Sequence, residues 1–155
     1  MSILDFGDDD AMGRVQSVDT ATVVVRVDAI ETLRKLQVNR LVALESSLAG
    51  QRLIGVINKI TRTAVEEAKV ADIEGAEEAH TELNLVRIAL IGTLMDLVGS
   101  KPNVFRRTLE TVPEIEARCF ALEGERLTKF MEVISTAVAG GRRLSLGSYT
   151  LDPKA

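Results

Sequence analysis

The sequence predicts a mainly β fold: a small closed β-barrel of about six strands with one docked α-helix and an acidic, partly helical insertion. Three observations carry this. Val23, Val25 and Val27 alternate with Thr22, Val24 and Arg26, the period of two that sends successive side chains to opposite sheet faces. Further short aliphatic runs follow, separated by turn residues, the pattern of strands that wrap into a small barrel. A single stretch, Glu125 to Ala137, carries a clear helical stripe in Leu127, Phe130, Met131 and Ile134.

Residues 1–11 read as a flexible acidic tail carrying three apolar side chains, Ile3, Leu4 and Phe6. The barrel domain is expected over 12–149. It opens with a hairpin in which Arg14-Val15-Gln16 alternates first and Asp19-Thr20-Ala21 connects to the valine strand. Asp28 with Glu31 three positions on has the spacing of an N-cap and its N3 partner, and Ile30, Leu33 and Leu36 suit a short helical turn. Leu41-Val42-Ala43-Leu44 is a third strand, with a turn near Ala49-Gly50. Leu53 to Arg62 is a fourth, in which Gly55 marks a bulge or sharp bend.

Residues 63–82 are rich in Ala and Glu, with few large apolar side chains, and are expected as an exposed, partly helical loop. Leu83 to Leu94 fits a helical face in part, but Gly92-Thr93 within it argues for a long strand. Gly99 to Asn103 is a turn, Val112-Pro113 begins an extended segment, and Glu116 to Ala121 alternates again. Ala139-Gly140-Gly141 stops the helix, Leu144 to Tyr149 follows, and 150–155 is a polar tail. Burying the four residues of the helical stripe is worth roughly 6–12 kcal/mol gross, comparable to a domain's net stability of about 5–15 kcal/mol. The helix must therefore dock on the sheet.

Composition narrows the function classes. Cys119 is the sole cysteine, so no intrachain disulfide can form and a reducing, cytosolic setting is expected. The N-terminus lacks the basic start and apolar core of a secretion signal, and the longest apolar run, Leu85 to Val98, is broken by Arg87 and Asp96. No membrane contact is expected. The net charge is −4, of which the first ten residues supply −4 and residues 63–82 supply −6, so the remainder carries +6. An acidic average therefore leaves room for a polyanion-facing patch.

No catalytic, cofactor or metal site is expected from the residues. His80, the sole histidine, lacks converging ligands and reads as a solvated loop residue. Cys119 reads as a packed structural thiol, and Asp8, Asp9 and Asp10 lack the spacing of a calcium loop. Arg106, Arg107, Arg142 and Arg143 are candidates to face a neighbouring subunit's carboxylates or a phosphate backbone, and Ile3, Leu4 and Phe6 to form a short docking peptide. Base stacking is disfavoured because the basic residues are not interleaved with aromatics.

Several segments recur in a familiar order. Gly13-Arg14-Val15-x-Ser17-Val18 precedes Val23 to Val27 and Leu53-Ile54-Gly55-Val56-Ile57. Ala89-Leu90-Ile91-Gly92-Thr93-Leu94, Phe105-Arg106-Arg107 before Val112-Pro113, and Leu144-x-Leu146-Gly147-Ser148 follow. The series, covering Met12 to about Tyr149, resembles the N-terminal barrel shared by HerA-type hexameric DNA translocases and the catalytic subunits of rotary ATP synthases. The resemblance implies an assembly barrel that packs side by side into a ring, a hexamer in the full-length protein, which engages DNA. It also implies recruitment of a nuclease or a sirtuin-like NAD-hydrolysing effector, in DNA processing or anti-phage defence. The ATP and Mg of such a protein belong to a motor domain, whose phosphate-binding loop Gly-x-x-x-x-Gly-Lys-Ser/Thr has no match here. Ala155 falls about where that motor would begin, so the resemblance implies a fragment that does not hydrolyse ATP alone. Two alternatives stand beside it: a stand-alone barrel adaptor without a motor, and a small barrel enzyme binding a flavin or pterin.

Overall fold

The described residues form seven strands and two helices in the order β1 (Gly13–Asp19), β2 (Thr22–Arg26), α1 (Ile30–Lys35), β3 (Leu41–Glu45), β4 (Gln51–Glu66), β5 (His80–Met95), β6 (Val104–Arg106), β7 (Arg118–Ala121) and α2 (Gly124–Ala137). The computed structural model describes residues 4–7, 10–66, 80–96 and 103–137. Every strand pairing is antiparallel, and six strands close on themselves in the circuit β1–β2–β5–β4–β3–β7, with β7 returning to β1. β6 stands outside the circuit, paired to the last residues of β5. The sequence predicts such a barrel, and it is present.

Alternation sets the interior. Val15, Val23, Val25, Val42, Leu44, Leu53, Ile57, Val86, Ile88 and Cys119 point inward and are sealed from solvent. Leu33 of α1 closes one end with Val27, and Leu109 and Ala117 pack against the same cluster from the β6–β7 connection. A second apolar layer lies outside the cylinder, where Phe130 and Val133 of α2 cover Ala43, Ile54 and Leu94. Phe130 meets Phe105 edge-on, with centroids 5.2 Å apart.

Two bulges bend the long β4–β5 hairpin, one at Ile54/Gly55 and one at Ile57/Lys59. The first needs its glycine: a Cβ on Gly55 would lie 2.4 Å from Ile88 Cγ2 and 3.0 Å from the Ala89 carbonyl oxygen. Beyond the barrel the hairpin runs on as a two-stranded arm, with Thr63 opposite Leu83 and Glu66 opposite His80.

Several expectations are corrected in detail. Residues 63–66 and 80–82 are strand and not helical loop; Thr61, Thr63 and Val65 supply β-branched alternation that the Ala/Glu composition conceals. Residues 67–79 lie outside the described residues, as do the expected turn over 99–102 and the Leu144–Tyr149 segment. The β1–β2 connector is two residues, Thr20-Ala21, because Asp19 pairs with Thr22, and Thr20 takes a positive φ of 51°. Asp28 does not cap α1. Ala29 holds the cap position without a side-chain bond, and Asp28 accepts from Arg26 at 3.1 Å instead. The helical stripe is rotated: Phe130 and Val133 are buried, while Met131 is 40% exposed. Burying Val133 in place of Met131 turns Arg126 toward the N-terminal segment.

That segment is the largest correction. Leu4 is fully buried in the outer layer, and Phe6 stacks on Phe120 with centroids 4.3 Å apart. A short apolar strip that can reach an uncovered sheet face gains more by packing there than by staying in water.

Candidate functional site

The barrel interior is aliphatic and filled, so chemistry resides on its outer wall. There the register places charged residues side by side. Arg14 of β1 stands opposite Arg26 of β2 and, on its other side, opposite Arg118 of β7. Arg118 reaches Glu45 of β3, and Glu45 stands opposite Arg52 of β4. The result is a belt of four arginines and one glutamate on five neighbouring strands.

Each member is held differently. Arg118 grips Glu45 with two guanidinium nitrogens at 2.6 and 2.9 Å and with its backbone N–H at 3.1 Å. Partial burial pushes the Glu45 carboxyl up, but these bonds outweigh it and hold it below the usual carboxylate range. Burial pulls the Arg52 guanidinium down, opposed by the charges of Asp96 and Glu45. Arg14 donates to the Glu116 carbonyl at 3.3 Å. Arg26 is half-buried and pairs with Asp28 at 3.1 Å.

At one end the belt meets the N-terminal segment. The guanidinium carbons of Arg126 and Arg52 lie 4.6 and 4.9 Å from the Phe6 ring centroid. Arg126 also bonds the Asp10 carboxylate and the Asp5 carbonyl. That bond, with one from the Gly7 N–H, lowers the Asp10 carboxyl from its ordinary value. Cation–π contacts of this kind contribute about 0.5–2 kcal/mol each. The segment is therefore a strap across the barrel wall. Beside it, Ser46, Gln51, Arg52 and Asp96 line an open groove of about 350 Å³.

The structure disperses the residues expected to form an interface. Leu4 is spent in the chain's own core and Phe6 is clamped between rings and guanidinium groups, so neither is presented as a docking peptide. Arg106 is exposed on β6 and pairs with Glu110 at 3.3 Å; Arg107 is exposed next to it. Ile3, Arg142 and Arg143 lie outside the described residues. His80 is a strand residue opening β5. Cys119 faces the barrel interior, where burial pushes its thiol far up, the condition of an inert packing residue. Among the described residues no three His, Cys, Asp or Glu side chains converge, and no helix is long and apolar enough to cross a membrane.

No protein-family model matches the sequence, and no curated protein does. The belt itself escapes a reading of the sequence because its members are spread over strands 7 to 104 positions apart. The usable signal is the alternation that turns Arg14 and Arg26 outward once the hairpin is placed.

Proposed function

We propose that the chain is the assembly and partner-docking barrel of a HerA-like hexameric, ATP-driven DNA translocase. The observation that carries this is the filled, closed cylinder: a barrel with an aliphatic interior and a charged wall works through surfaces that other molecules grip. The motif series supports the reading, since four of its pieces fall on strands of that cylinder and a fifth on β6 beside it. Gly13-Arg14-Val15 lies on β1, Val23 to Arg26 on β2, Leu53 to Ile57 on β4, Ala89 to Leu94 on β5 and Phe105-Arg106 on β6. In this reading the barrel holds neighbouring subunits in register and recruits a nuclease or a sirtuin-like NAD-hydrolysing effector. ATP and Mg are bound by a motor domain joined to it.

Light scattering on the protein extended into its following domain tests the proposal. A hexamer with ATPase activity stimulated by DNA is expected, and co-purification with the neighbouring gene product. A monomer with no phosphate-binding loop in the following sequence overturns it in favour of a stand-alone adaptor. Residues 1–155 alone are expected to give no heat on titration with ATP, and micromolar binding would contradict the assignment.

A further inference from the structure

The outer face of β1–β2–β5–β4 carries two opposed pairs of cations, and among the described residues only Arg26 of the four has an acidic partner, Asp28. Lys59 of β4 stands directly opposite Arg87 of β5, just as Arg14 stands opposite Arg26. Like charges directly opposed on neighbouring strands destabilise a sheet. Lys59 and Arg87 are both exposed, and among the described residues neither has an acidic partner. Val24 lies between the two pairs, opposite Arg87 on the β2 side, so the four cations span four adjacent strands. Asp28 and Asp19 stand at the two ends of the facet and leave its centre unneutralised.

The rest of the facet decides what it fits. Its remaining outward residues include Ser17, Thr22 and Thr61 together with Val24, Leu85 and Ala89; these three apolar side chains are half-buried between the cations, and none of the six is aromatic. A protein partner draws its binding energy from aromatic or apolar anchors seated in pockets, and a single strand from rings on which bases stack. A duplex backbone needs neither: cations and hydroxyl groups at phosphate spacing suffice. With strands about 4.8 Å apart and about 3.4 Å per residue, the two cation pairs lie about 12 Å apart on the wall. That separation lets them reach two rows of phosphates.

We propose that Arg14, Arg26, Arg87 and Lys59 form a docking surface for the phosphodiester backbone of duplex DNA. The contact is independent of sequence and of the ring: it stands on register and charge, and holds whether or not the translocase reading does.

Fluorescence anisotropy of residues 1–155 with a labelled mixed-sequence duplex tests it across salt. Four phosphate contacts give a log–log slope of about −3.6, a loss of affinity of about 150-fold between about 50 and about 200 mM salt. Replacing the central pair, Arg87→Gln with Lys59→Gln, leaves a slope of about −1.8 and a loss of only about 12-fold. Both side chains are exposed, and an unchanged circular dichroism spectrum and melting temperature show that the fold is kept. Replacing Arg106 and Arg107 with Gln is expected to leave the slope unchanged. Absence of duplex binding at low salt overturns the proposal, as does a slope indifferent to the Arg87 and Lys59 changes. Binding of a poly-glutamate peptide to this face in preference to duplex also overturns it, and assigns the facet to an acidic protein.

Discussion

Replacing Leu4 with Ala separates a strap from a tail. Leu4 is fully buried beside Ala43, Ile54, Leu94 and Phe130. Truncating a buried leucine costs about 2–5 kcal/mol, the lost transfer energy plus the cavity left behind. Here the lower part of that range applies. The strap can lift away locally from the wall, so the loss cannot exceed the free energy with which the strap docks. Besides Leu4 it is held by the Arg126 bonds to Asp10 and Asp5, the Phe6 stack and the two guanidinium groups over it, the ring contacts worth about 0.5–2 kcal/mol each.

A loss of about 2 kcal/mol follows for Leu4→Ala, which in a domain of this size lowers the melting temperature by roughly 4–8 °C. Urea unfolding measures it, and an unchanged m-value shows that the comparison is of stability alone. Phe6→Ala should cost less, about 1–2 kcal/mol, and should couple to Arg126→Ala in a double-mutant cycle because the two side chains touch. If Leu4→Ala shifts stability by under about 0.5 kcal/mol, the range of an ordinary surface change, the strap is not docked in solution and the reasoning fails.

Three further outcomes follow. Gly55→Ala inserts a methyl group 2.4 Å from Ile88 Cγ2 and should destabilise the barrel by about 1–3 kcal/mol, read by thermal unfolding; no loss would mean that the bulge repacks freely. The Glu45 carboxyl is lower in the fold than its ordinary value of 4.5, so its contribution is present above that value and lost as pH falls through the lower folded value. Stability of Glu45→Gln should accordingly fall less steeply than that of the parent in that window, and equal acid limbs would refute the grip of Arg118 on Glu45. Cys119, buried with its thiol pushed far up, should react with a thiol reagent only at the rate of global opening; fast labelling of the native protein would refute its interior position.

The cylinder was legible because alternation writes burial directly into the chain. Val23 and Val25 point inward whatever their partners are, and Gly55 announces a bend before its neighbour is known. What stayed hidden depends on partners. Residues 63–66 look like a polar loop by composition, and become strand only because residues 80–83 lie opposite. Met131 and Val133 are equally apolar, and the choice of buried face rests on where Phe105 and the strap sit. Leu4 reads as a tail residue because nothing local shows that a sheet face near it is uncovered. The charged belt and the cationic facet are invisible for the same reason. Arg14, Arg26, Arg87 and Lys59 become neighbours through register, which the spacing of one strand does not disclose.

Closure also limits how any partner can approach. A barrel removes the free edges along which strands add to one another, so most of this wall can be engaged only face-on. Among the described residues, two stretches of edge stand at the ends of β5. β6 pairs there on one side only, through its contact with Thr93, Leu94 and Met95. The arm is the other: β4 leaves β3 after Val56, and β5 reaches beyond β2 below Leu85, so both strands of the arm run on paired only to each other. Side-by-side packing of such barrels has wall faces and edges such as these to use. The edges sit toward opposite ends of β5, one by Met95 and the other by His80. A contact joining the β6 edge of one copy to the arm of the next would be head-to-tail, the kind that closes into a ring when its rotation divides a full turn. A contact between two β6 edges is self-complementary and stops at a dimer.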